Sequence, residues 1–208
     1  MMESSGRVCI YIFDIHDARS PGQRLLKAVS EYCGEDVQGE LHVERTDRGK
    51  PYFPDLPGIQ FSISHSGGYW ACTVAEESVG LDLQEYALLK GETPDKAAVR
   101  FSKLAHRFFH PLEAEFVEWD RFHNFFTAWA AKEAYVKYTG QGIDKYFSEH
   151  CVIPGQKTEW NRLSGKREGV AWRALEKQFW KSYYKENYIL CVCTSKMGKY
   201  SVIDYSKS

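Results

Sequence analysis

Apolar and polar residues follow two spacings along this chain, and the spacings predict where its strands and helices lie. A two-residue alternation or a short β-rich run predicts strands, which cover residues 7–15, 40–46, 59–65, 69–75, 79–84 and 200–206. The turns between 59 and 84 are short, which favours an antiparallel meander there over parallel β-α-β crossovers. Residues 180–196 have the pattern of a further hairpin.

Four other segments show the helical spacing of apolar residues. They predict helices over Gln23–Tyr32, from Asp95 to about Phe109, over 112–119, and from about Asp120 to Tyr138. Gly34 and Gly140 follow the first and last of these segments, as glycines at helix C-termini do. With small antiparallel sheets beside these helices, the pattern indicates an α+β fold.

The helix predicted over 120–138 has a carboxylate on its apolar face. Glu133 lies within a stripe formed by Phe122, Phe125, Phe126, Trp129 and Val136, and Lys137 lies at the edge of that stripe. A buried carboxylate is unfavourable unless something pairs with it. A pair with Lys137 is one explanation, but such a pair stabilises a surface helix by only ~0.3–0.5 kcal/mol. A buried functional carboxylate is the other explanation.

The strand predicted over 79–84 brings two oxygen donors to one face. Residues two apart in a strand point the same way, so Leu81 and Leu83 face one side while Asp82 and Gln84 face the other. Carboxylate and amide oxygens are ligands of the kind that Mg²⁺ prefers, and an ion shared with Glu133 would neutralise both carboxylates. The alternative is a strand face that water covers.

Composition and charge narrow the function classes. The formal net charge of −1 provides no overall basic field for nucleic acid. The six cysteines form no C-x-x-C pair and are expected to be reduced, mostly buried thiols. No apolar run approaches the ~20 residues of a membrane helix, and the first residues lack the apolar core of a signal peptide. We therefore expect a cytoplasmic protein that acts on neither nucleic acid nor membranes.

Three motifs occur in a fixed order: RGKPYFP (48–54), FSISHSGGYWACTVAEESVGLDLQ (61–84) and FFTAWAAKEAYVKYTGQG (125–142). Together they resemble the surfactin-synthetase-activating type of 4′-phosphopantetheinyl transferase. That family has the patterns G-K-P, F-N-I-S-H-S-G, G-[IV]-D-[IVL]-E and W-x-x-K-E-[AS]-x-x-K-x-x-G-x-G. The resemblance extends from about residue 22 to 195.

The resemblance implies an enzyme, a holo-[acyl-carrier-protein] synthase. Such an enzyme transfers the 4′-phosphopantetheine group of coenzyme A to a serine of an apo acyl or peptidyl carrier protein and releases 3′,5′-ADP. It depends on Mg²⁺, with Mn²⁺ as an alternative ion, and coenzyme A is its co-substrate. These enzymes serve fatty-acid, polyketide or nonribosomal-peptide synthesis, and the sequence does not select among the three.

The resemblance also implies roles for individual residues. Asp82 and Glu133 match the metal ligands, and Glu133 also matches the residue thought to deprotonate the carrier serine, although a water is an alternative base. Lys137 matches a catalytic lysine that neutralises phosphate charge. The positions that match coenzyme A contacts are Lys50, Ser64 and His65, with Arg24 on a looser alignment. Glu113 matches an acidic residue near the metal, also loosely.

Gln84 departs from the family pattern, because many members have a second carboxylate there. Its amide could ligate the metal directly or through a water, with lower Mg²⁺ affinity as a result. Two alternative functions follow. One is a coenzyme A-binding module with weak or no transferase activity, and the other is an unrelated metal-dependent phosphohydrolase supported by the carboxylates alone.

The resemblance further implies a monomer with a pseudo-two-fold pair of similar halves, each a small antiparallel sheet packed against helices. Residues 1–85 would form the N-terminal half and 86–208 the C-terminal half, with the active site in the cleft between them. Carrier proteins of this class are typically acidic, so the basic face of the helix predicted at 95–109 is a candidate docking surface. That face consists of Lys96, Arg100, Lys103 and Arg107.

Overall fold

The computed structural model describes residues 6–142, 147–175 and 178–206, without the side chain of residue 172. The described residues form ten strands, at Arg7–Asp14 (β1), Glu44–Arg45 (β2), Pro51–Tyr52 (β3), Gln60–Ser66 (β4), Tyr69–Ala75 (β5), Val79–Glu85 (β6), Gly169–Leu175 (β7), Gln178–Tyr184 (β8), Tyr188–Thr194 (β9) and Lys199–Asp204 (β10). The same residues form four α-helices, at Pro21–Cys33 (α1), Pro94–Phe108 (α2), Pro111–Trp119 (α3) and His123–Thr139 (α4). A short 3₁₀ helix covers Lys157–Arg162.

The strands form two four-stranded sheets and one small ribbon. The first sheet has the order β10-β1-β5-β4 and the second has the order β6-β9-β8-β7, while β2 and β3 form the ribbon. The pairs in both sheets are antiparallel except for β1 and β10, which run parallel. The prediction of an α+β fold with small antiparallel sheets is therefore confirmed.

The two sheets and the helices stack in four layers. Apolar side chains from β1 and β5 meet those of β6 and β9 in a core between the sheets, which includes Ile10, Leu81 and Leu190. On the outer face of the first sheet, α1 covers a second core. On the outer face of the second sheet, α2, α3 and α4 cover the third and largest core. Each sheet therefore buries both of its faces.

Most of the predicted elements are present within a few residues of their expected ends. Ser20 caps α1 in a reciprocal capping box with Gln23, and Gly34 ends the helix with a φ of 75°. Gly140 ends α4 in the same way, with a φ of 70°. Along α2, Ala97 and Phe101 are buried whereas Phe108 is 42% exposed, so not every apolar residue of this helix lies in the core.

Two strand predictions are wrong. Of residues 40–46, only Glu44 and Arg45 form a strand, because the short β2–β3 ribbon is the sole pairing described for this segment. The meander over 59–84 is also wrong: β4 and β5 pair, but β6 leaves their sheet and pairs with β9. The short turn at Glu76 and Glu77 therefore carries the chain from one sheet to the other.

The interpretation of α4 as a helix with one apolar stripe is incomplete. Four of its fully buried residues are alanines, namely Ala128, Ala130, Ala131 and Ala134, and the last two contact the second sheet through Trp180 and Gly80. Phe125 and Trp129 lie in an aromatic cluster with Phe109, beside α2 and α3. The helix is buried on two sides, and the alanines let it approach the strands closely.

The six cysteines are free thiols, of which Cys9, Cys72, Cys191 and Cys193 are buried and Cys33 is exposed. No helix among the described residues is both long enough and apolar enough to cross a membrane.

Candidate functional site

Asp82 lies at the centre of β6, on the face that meets α4. Leu81 and Leu83 point into the core between the sheets, which confirms the predicted alternation along this strand. Asp82 is 2% exposed and pairs in register with Cys191 of β9. The strand therefore places a carboxylate inside the protein, where it requires compensation.

Gly80 sets the distance between β6 and α4. A Cβ atom at this position would lie 1.9 Å from the backbone oxygen of Ala134 and 2.4 Å from the backbone nitrogen of Tyr138. Glycine is therefore the residue that permits this approach. The contact is with Ala134 and Tyr138, which directly follow Glu133 and Lys137 in α4, and it brings that part of the helix over the strand that carries Asp82.

Three side chains donate hydrogen bonds to Asp82. Lys137 Nζ lies 2.8 Å from Oδ1, Ser64 Oγ lies 2.8 Å from the same oxygen, and Gln84 Nε2 lies 2.7 Å from Oδ2. The partner of Lys137 is thus Asp82 on the facing strand, rather than Glu133 one turn earlier in the helix. β4, β6 and α4 each contribute a residue to this cluster, which we call the Asp82 cluster and which consists of Ser64, Asp82, Gln84, Glu133 and Lys137.

Glu133 completes the cluster as a second, half-buried carboxylate. Burial raises its pKa, the negative charge of Asp82 raises it further, and Lys137 lowers it. Two carboxylates thus share one nearby ammonium group. This is an electrostatic arrangement that a further cation would stabilise.

The donor set of the cluster fits Mg²⁺. Mg²⁺ is usually bound through one or two carboxylates, while waters and substrate phosphates provide its remaining ligands. Among the described residues there is no group of three or more Asp, Glu, His or Cys side chains that could hold a metal. Asp82 and Glu133 therefore suit a metal that shares its coordination with a phosphate substrate, with the Gln84 amide beside them.

A cavity of about 550 Å³ opens beside the cluster. Its walls come from the N-terminus of α1, the loop from Val43 to Pro51, β4 and the C-terminal end of α4. Leu25, Phe61 and Ile63 provide apolar surface, and five side chains are basic or can become so: Arg45, Arg48, Lys50, His65 and Lys137. An elongated ligand with several negative groups fits such a cavity.

The residues expected to contact coenzyme A occupy different positions relative to this cavity. His65 and Lys50 line it. Arg24 is 4% exposed and donates to the backbone oxygens of Ile15 and Asp17, at 2.8 and 2.9 Å. Arg24 thus supports the loop before α1, and the residues described along the cavity wall do not include it.

Lys50 reaches across the cavity to the end of α4. Its Nζ donates to the backbone oxygen of Tyr138 at 2.6 Å and to Ser78 Oγ at 2.7 Å, and its side chain packs against Gly140. An ammonium group at a helix C-terminus satisfies a free carbonyl and opposes the helix dipole. Burial lowers the pKa of Lys50. Lys50 therefore fastens the loop of the G-K-P motif to the helix that carries Glu133.

Sequence reasoning missed Arg45 and Arg48, which line the cavity from the β2–β3 ribbon and its loop. The signal was present, because both flank the G-K-P motif in the segment ERTDRGKP. A run of basic residues beside a glycine turn is common on protein surfaces, however. Only the folded ribbon shows that these two side chains face the same space as Lys137.

Sequence reasoning also missed the role of Lys132, the lysine of the W-x-x-K-E motif. It is 2% exposed, and its Nζ lies 2.8 Å from Glu113 Oε2 and 2.6 Å from the backbone oxygen of His150. Glu113 is fully buried and also accepts from the backbone nitrogens of His110 and Val152. The carboxylate of Glu113 is therefore engaged in an ion pair that joins α3 to α4.

A second cavity, of about 250 Å³, adjoins the first and shares Val136 and Gly142 with it. Lys132, Phe147 and Tyr135 contribute to its walls, and the Tyr135 ring stacks on His150 with the ring centres 3.7 Å apart. The two cavities therefore share part of their walls.

Comparison with known proteins gives a consistent match. A sequence model of the 4′-phosphopantetheinyl transferase superfamily matches residues 78–193, which is more than half of the chain. The 4′-phosphopantetheinyl transferase HetI of Nostoc sp. (strain PCC 7120) is 31% identical over 176 residues, covering 80% of this chain and 68% of HetI. The 4′-phosphopantetheinyl transferase Sfp of Bacillus subtilis (strain 168) is 27% identical over 126 residues, covering 59% of this chain and 51% of Sfp.

A further 4′-phosphopantetheinyl transferase of Bacillus subtilis is 33% identical over 99 residues, covering 46% of this chain and 39% of that protein. The match thus spans about half the length, or less, of the two Bacillus proteins. The segment matched by the superfamily model extends from the turn before β6 into β9 and includes Asp82, Glu133 and Lys137. The chain therefore belongs to the 4′-phosphopantetheinyl transferase superfamily.

Proposed function

We propose that this protein transfers the 4′-phosphopantetheine group of coenzyme A to a serine of an apo carrier protein and releases 3′,5′-ADP, with Mg²⁺ required. The observation that carries the proposal is the position of Lys137. Its ammonium group belongs to the Asp82 cluster and also lines the basic cavity of about 550 Å³. A phosphate-rich ligand in that cavity therefore has a phosphoryl group next to the two carboxylates.

In this proposal coenzyme A lies with its nucleotide end in the basic cavity. Arg45, Arg48 and His65 provide charge and hydrogen-bond donors for its phosphates. The first turn of α1, at Pro21 and Gly22, also faces the cavity and adds the positive end of a helix dipole. The second cavity, which shares Val136 and Gly142 with the first, is the site we propose for the less polar pantetheine arm.

The reaction exchanges one P–O bond for another. The serine oxygen of the carrier bonds to the phosphorus that bears the pantetheine arm, and the bond from that phosphorus to the 3′,5′-ADP oxygen breaks. The serine proton passes to Glu133 or to a water, and 3′,5′-ADP leaves with the electron pair. Reactions of this kind depend on positioning and charge neutralisation more than on covalent help from the protein.

The residues of the Asp82 cluster have proposed roles in metal binding, charge neutralisation or proton transfer. Asp82 and Glu133 would hold the metal, with Gln84 bound to it directly or through a water. Mg²⁺ held there would supply Lewis acidity to the pyrophosphate. Lys137, whose side chain is 29% exposed, neutralises charge on the phosphates. Glu133 is the candidate base for the serine proton, with a water as the alternative.

The protein's type and organisation form part of the proposal. The motif order and the likeness to Sfp support the surfactin-synthetase-activating type, as does the pairing of two sheets that each have an outer helix layer. Two similar halves, 1–85 and 86–208, stay a prediction, and so do the monomeric state and the cytoplasmic location. β6, within residues 1–85, pairs with β9, and β10, within residues 86–208, pairs with β1. Each sheet therefore contains strands from both ranges.

The partner we propose is an acidic carrier protein that docks on α2. Lys96, Lys103 and Arg107 are exposed there, and the described residues offer them no carboxylate partner. Arg100 differs from them, because its guanidinium lies 2.8 Å from Glu92 and is already neutralised. Reversing the charge of Lys96 and Lys103 should lower kcat/KM for the carrier and weaken its salt dependence. An unchanged salt dependence would exclude this docking surface, and reversal of Arg100 is the matched comparison.

The proposal is tested by incubating the protein with coenzyme A, Mg²⁺ and an apo carrier and then measuring the mass of the carrier. A gain of one phosphopantetheine group supports transfer. Retained coenzyme A binding without a gain favours a binding module in which Gln84 limits activity. Hydrolysis of coenzyme A without a carrier favours a phosphohydrolase.

A further inference from the structure

Three serine side chains on β4 join the first sheet to β6. Their hydroxyl oxygens accept hydrogen bonds from backbone N–H groups of β6, at distances between 3.0 and 3.1 Å: Ser62 from Leu81, Ser64 from Leu83, and Ser66 from Glu85. These N–H groups point away from β9, with which β6 pairs along its other edge. They would lack acceptors without the serines, so the hydroxyls replace a backbone ladder between the two sheets.

Of the three, only Ser64 also contacts charged side chains in the described part of the chain. Its Oγ lies 2.8 Å from Asp82 Oδ1 and 3.1 Å from Lys137 Nζ. Ser64 is 5% exposed, so solvent competes little for these contacts. The hydroxyl therefore lies within the Asp82 cluster, at the junction between β4, β6 and α4.

The contacts determine which way the Ser64 hydroxyl points. A serine hydroxyl has one proton to donate and two lone pairs that accept. The backbone N–H of Leu83 and the ammonium group of Lys137 are both donors, and they occupy the two lone pairs. The remaining proton can then be donated only to the Asp82 carboxylate, which is the acceptor in contact with it.

We propose that Ser64 is a positioning residue whose hydroxyl fixes the orientation of the Asp82 carboxylate instead of contacting coenzyme A. This inference rests on the proposed function. The Ser64 hydroxyl has no donor left for a phosphate, and the residues that line the basic cavity include its neighbours Ile63 and His65 but not Ser64 itself. The hydroxyl accepts from the backbone N–H of Leu83 and donates to the side chain of Asp82. It therefore holds both the backbone of β6 and the proposed metal-binding carboxylate in position.

The test compares Ser64→Ala with Ser66→Ala. Each variant removes one hydroxyl that accepts from a β6 backbone N–H, but only Ser64→Ala removes a donor to Asp82. For each protein we would measure kcat and the KM for coenzyme A in carrier transfer. We would also measure Mn²⁺ affinity by electron paramagnetic resonance without any carrier, as a readout that does not depend on activity.

We expect Ser64→Ala to lower kcat and to weaken Mn²⁺ binding by about 10–100-fold each, which is the usual effect of losing a group that orients a metal ligand. The KM for coenzyme A should change little, and Ser66→Ala should resemble the parent protein. A raised KM with an unchanged kcat would overturn the inference and show that Ser64 contacts coenzyme A. Unchanged kcat and Mn²⁺ affinity would also overturn it.

Two further measurements keep the test decisive. If Ser64→Ala does not fold, Ser64→Cys keeps the size of the side chain with a much weaker donor, and the same loss of kcat is expected. In an Asp82→Asn background, Ser64→Ala should add no further loss of Mn²⁺ affinity, because the two residues act as one unit. A fully additive loss would contradict the inference. A parent protein that transfers nothing would count against the proposed function instead.

Discussion

Replacing Gly80 with alanine tests whether the close approach of β6 and α4 sets the geometry of the Asp82 cluster. The new Cβ atom would lie 1.9 Å from the backbone oxygen of Ala134, whereas real Cβ contacts are essentially never shorter than 3.0 Å. Both atoms nearest to it belong to the backbone of α4, so no side-chain rotation can relieve the clash. The helix and the strand must therefore separate by about 1 Å.

A shift of that size is large for this cluster. Lys137 Nζ lies only 2.8 Å from Asp82 Oδ1, so a displacement of about 1 Å takes the pair beyond normal hydrogen-bonding distance. A misplacement of about 1 Å in an active site can lower the rate ~100-fold. The overpacked core should also lose roughly 1–3 kcal/mol of stability. In a chain of this length, Tm falls by about 2–4 °C for each kcal/mol.

The assay is the rate of phosphopantetheine transfer to an apo carrier, with Tm and coenzyme A binding measured on the same samples. Gly58→Ala is the matched control, because a Cβ atom there has no neighbour within 4 Å. We expect Gly80→Ala to remain folded, to bind coenzyme A and to lose about 100-fold in kcat. A folded Gly80→Ala protein with the parent kcat would refute the reasoning.

Three further predictions concern the groups around the site. Lys132→Met should destabilise the fold by about 3–5 kcal/mol in chemical unfolding, because it leaves Glu113 buried and unpaired. Adding Glu113→Gln should recover part of that loss, because it removes the buried charge and keeps a side-chain acceptor for the backbone N–H groups of His110 and Val152. Arg45→Gln with Arg48→Gln should raise the Kd for coenzyme A about tenfold in calorimetry, equivalent to 1.4 kcal/mol, with little change in kcat. An unchanged Kd would show that neither arginine binds coenzyme A.

The third concerns pH. The pKa of Glu92 is lowered to about 2, chiefly by hydrogen bonds from Arg100. The folded protein therefore holds this carboxylate ionised more strongly than the unfolded chain does, and the resulting stability is complete above the ordinary pKa of glutamate. It is lost as the pH falls from there towards 2. An NMR titration should show this low pKa returning to its usual range in Arg100→Met, and no change would contradict the assignment.

Local patterns in the sequence predicted most helices and strands, and the side of β6 on which Asp82 lies. They did not predict which strands pair. The alternation of Leu81 and Leu83 with Asp82 depends only on strand geometry, and it is confirmed. The strand with which β6 pairs is determined by contacts between distant parts of the chain. β9 lies more than a hundred residues further along, so a short turn after β5 gave a misleading indication of a meander.

Contacts between distant segments account for the other differences. A helical wheel placed Glu133 beside apolar residues, but it could not show that Lys137 pairs with Asp82 from β6. Lys50 matches a coenzyme A contact of the family and lines the basic cavity, but the sequence could not show that its ammonium group also binds the end of α4. Neither pairing has a signature in the local sequence, because each joins residues more than fifty positions apart.

The most direct test of the account is the rate at which Glu133→Gln transfers phosphopantetheine to an apo carrier, followed by the mass of the carrier. This substitution keeps the size of the side chain and removes the charge that the account assigns to metal binding and proton transfer. We predict a folded protein whose transfer rate is at least ~100-fold below that of the parent. A Glu133→Gln protein that transfers at the parent rate would contradict the central claim that the Asp82 cluster performs the reaction.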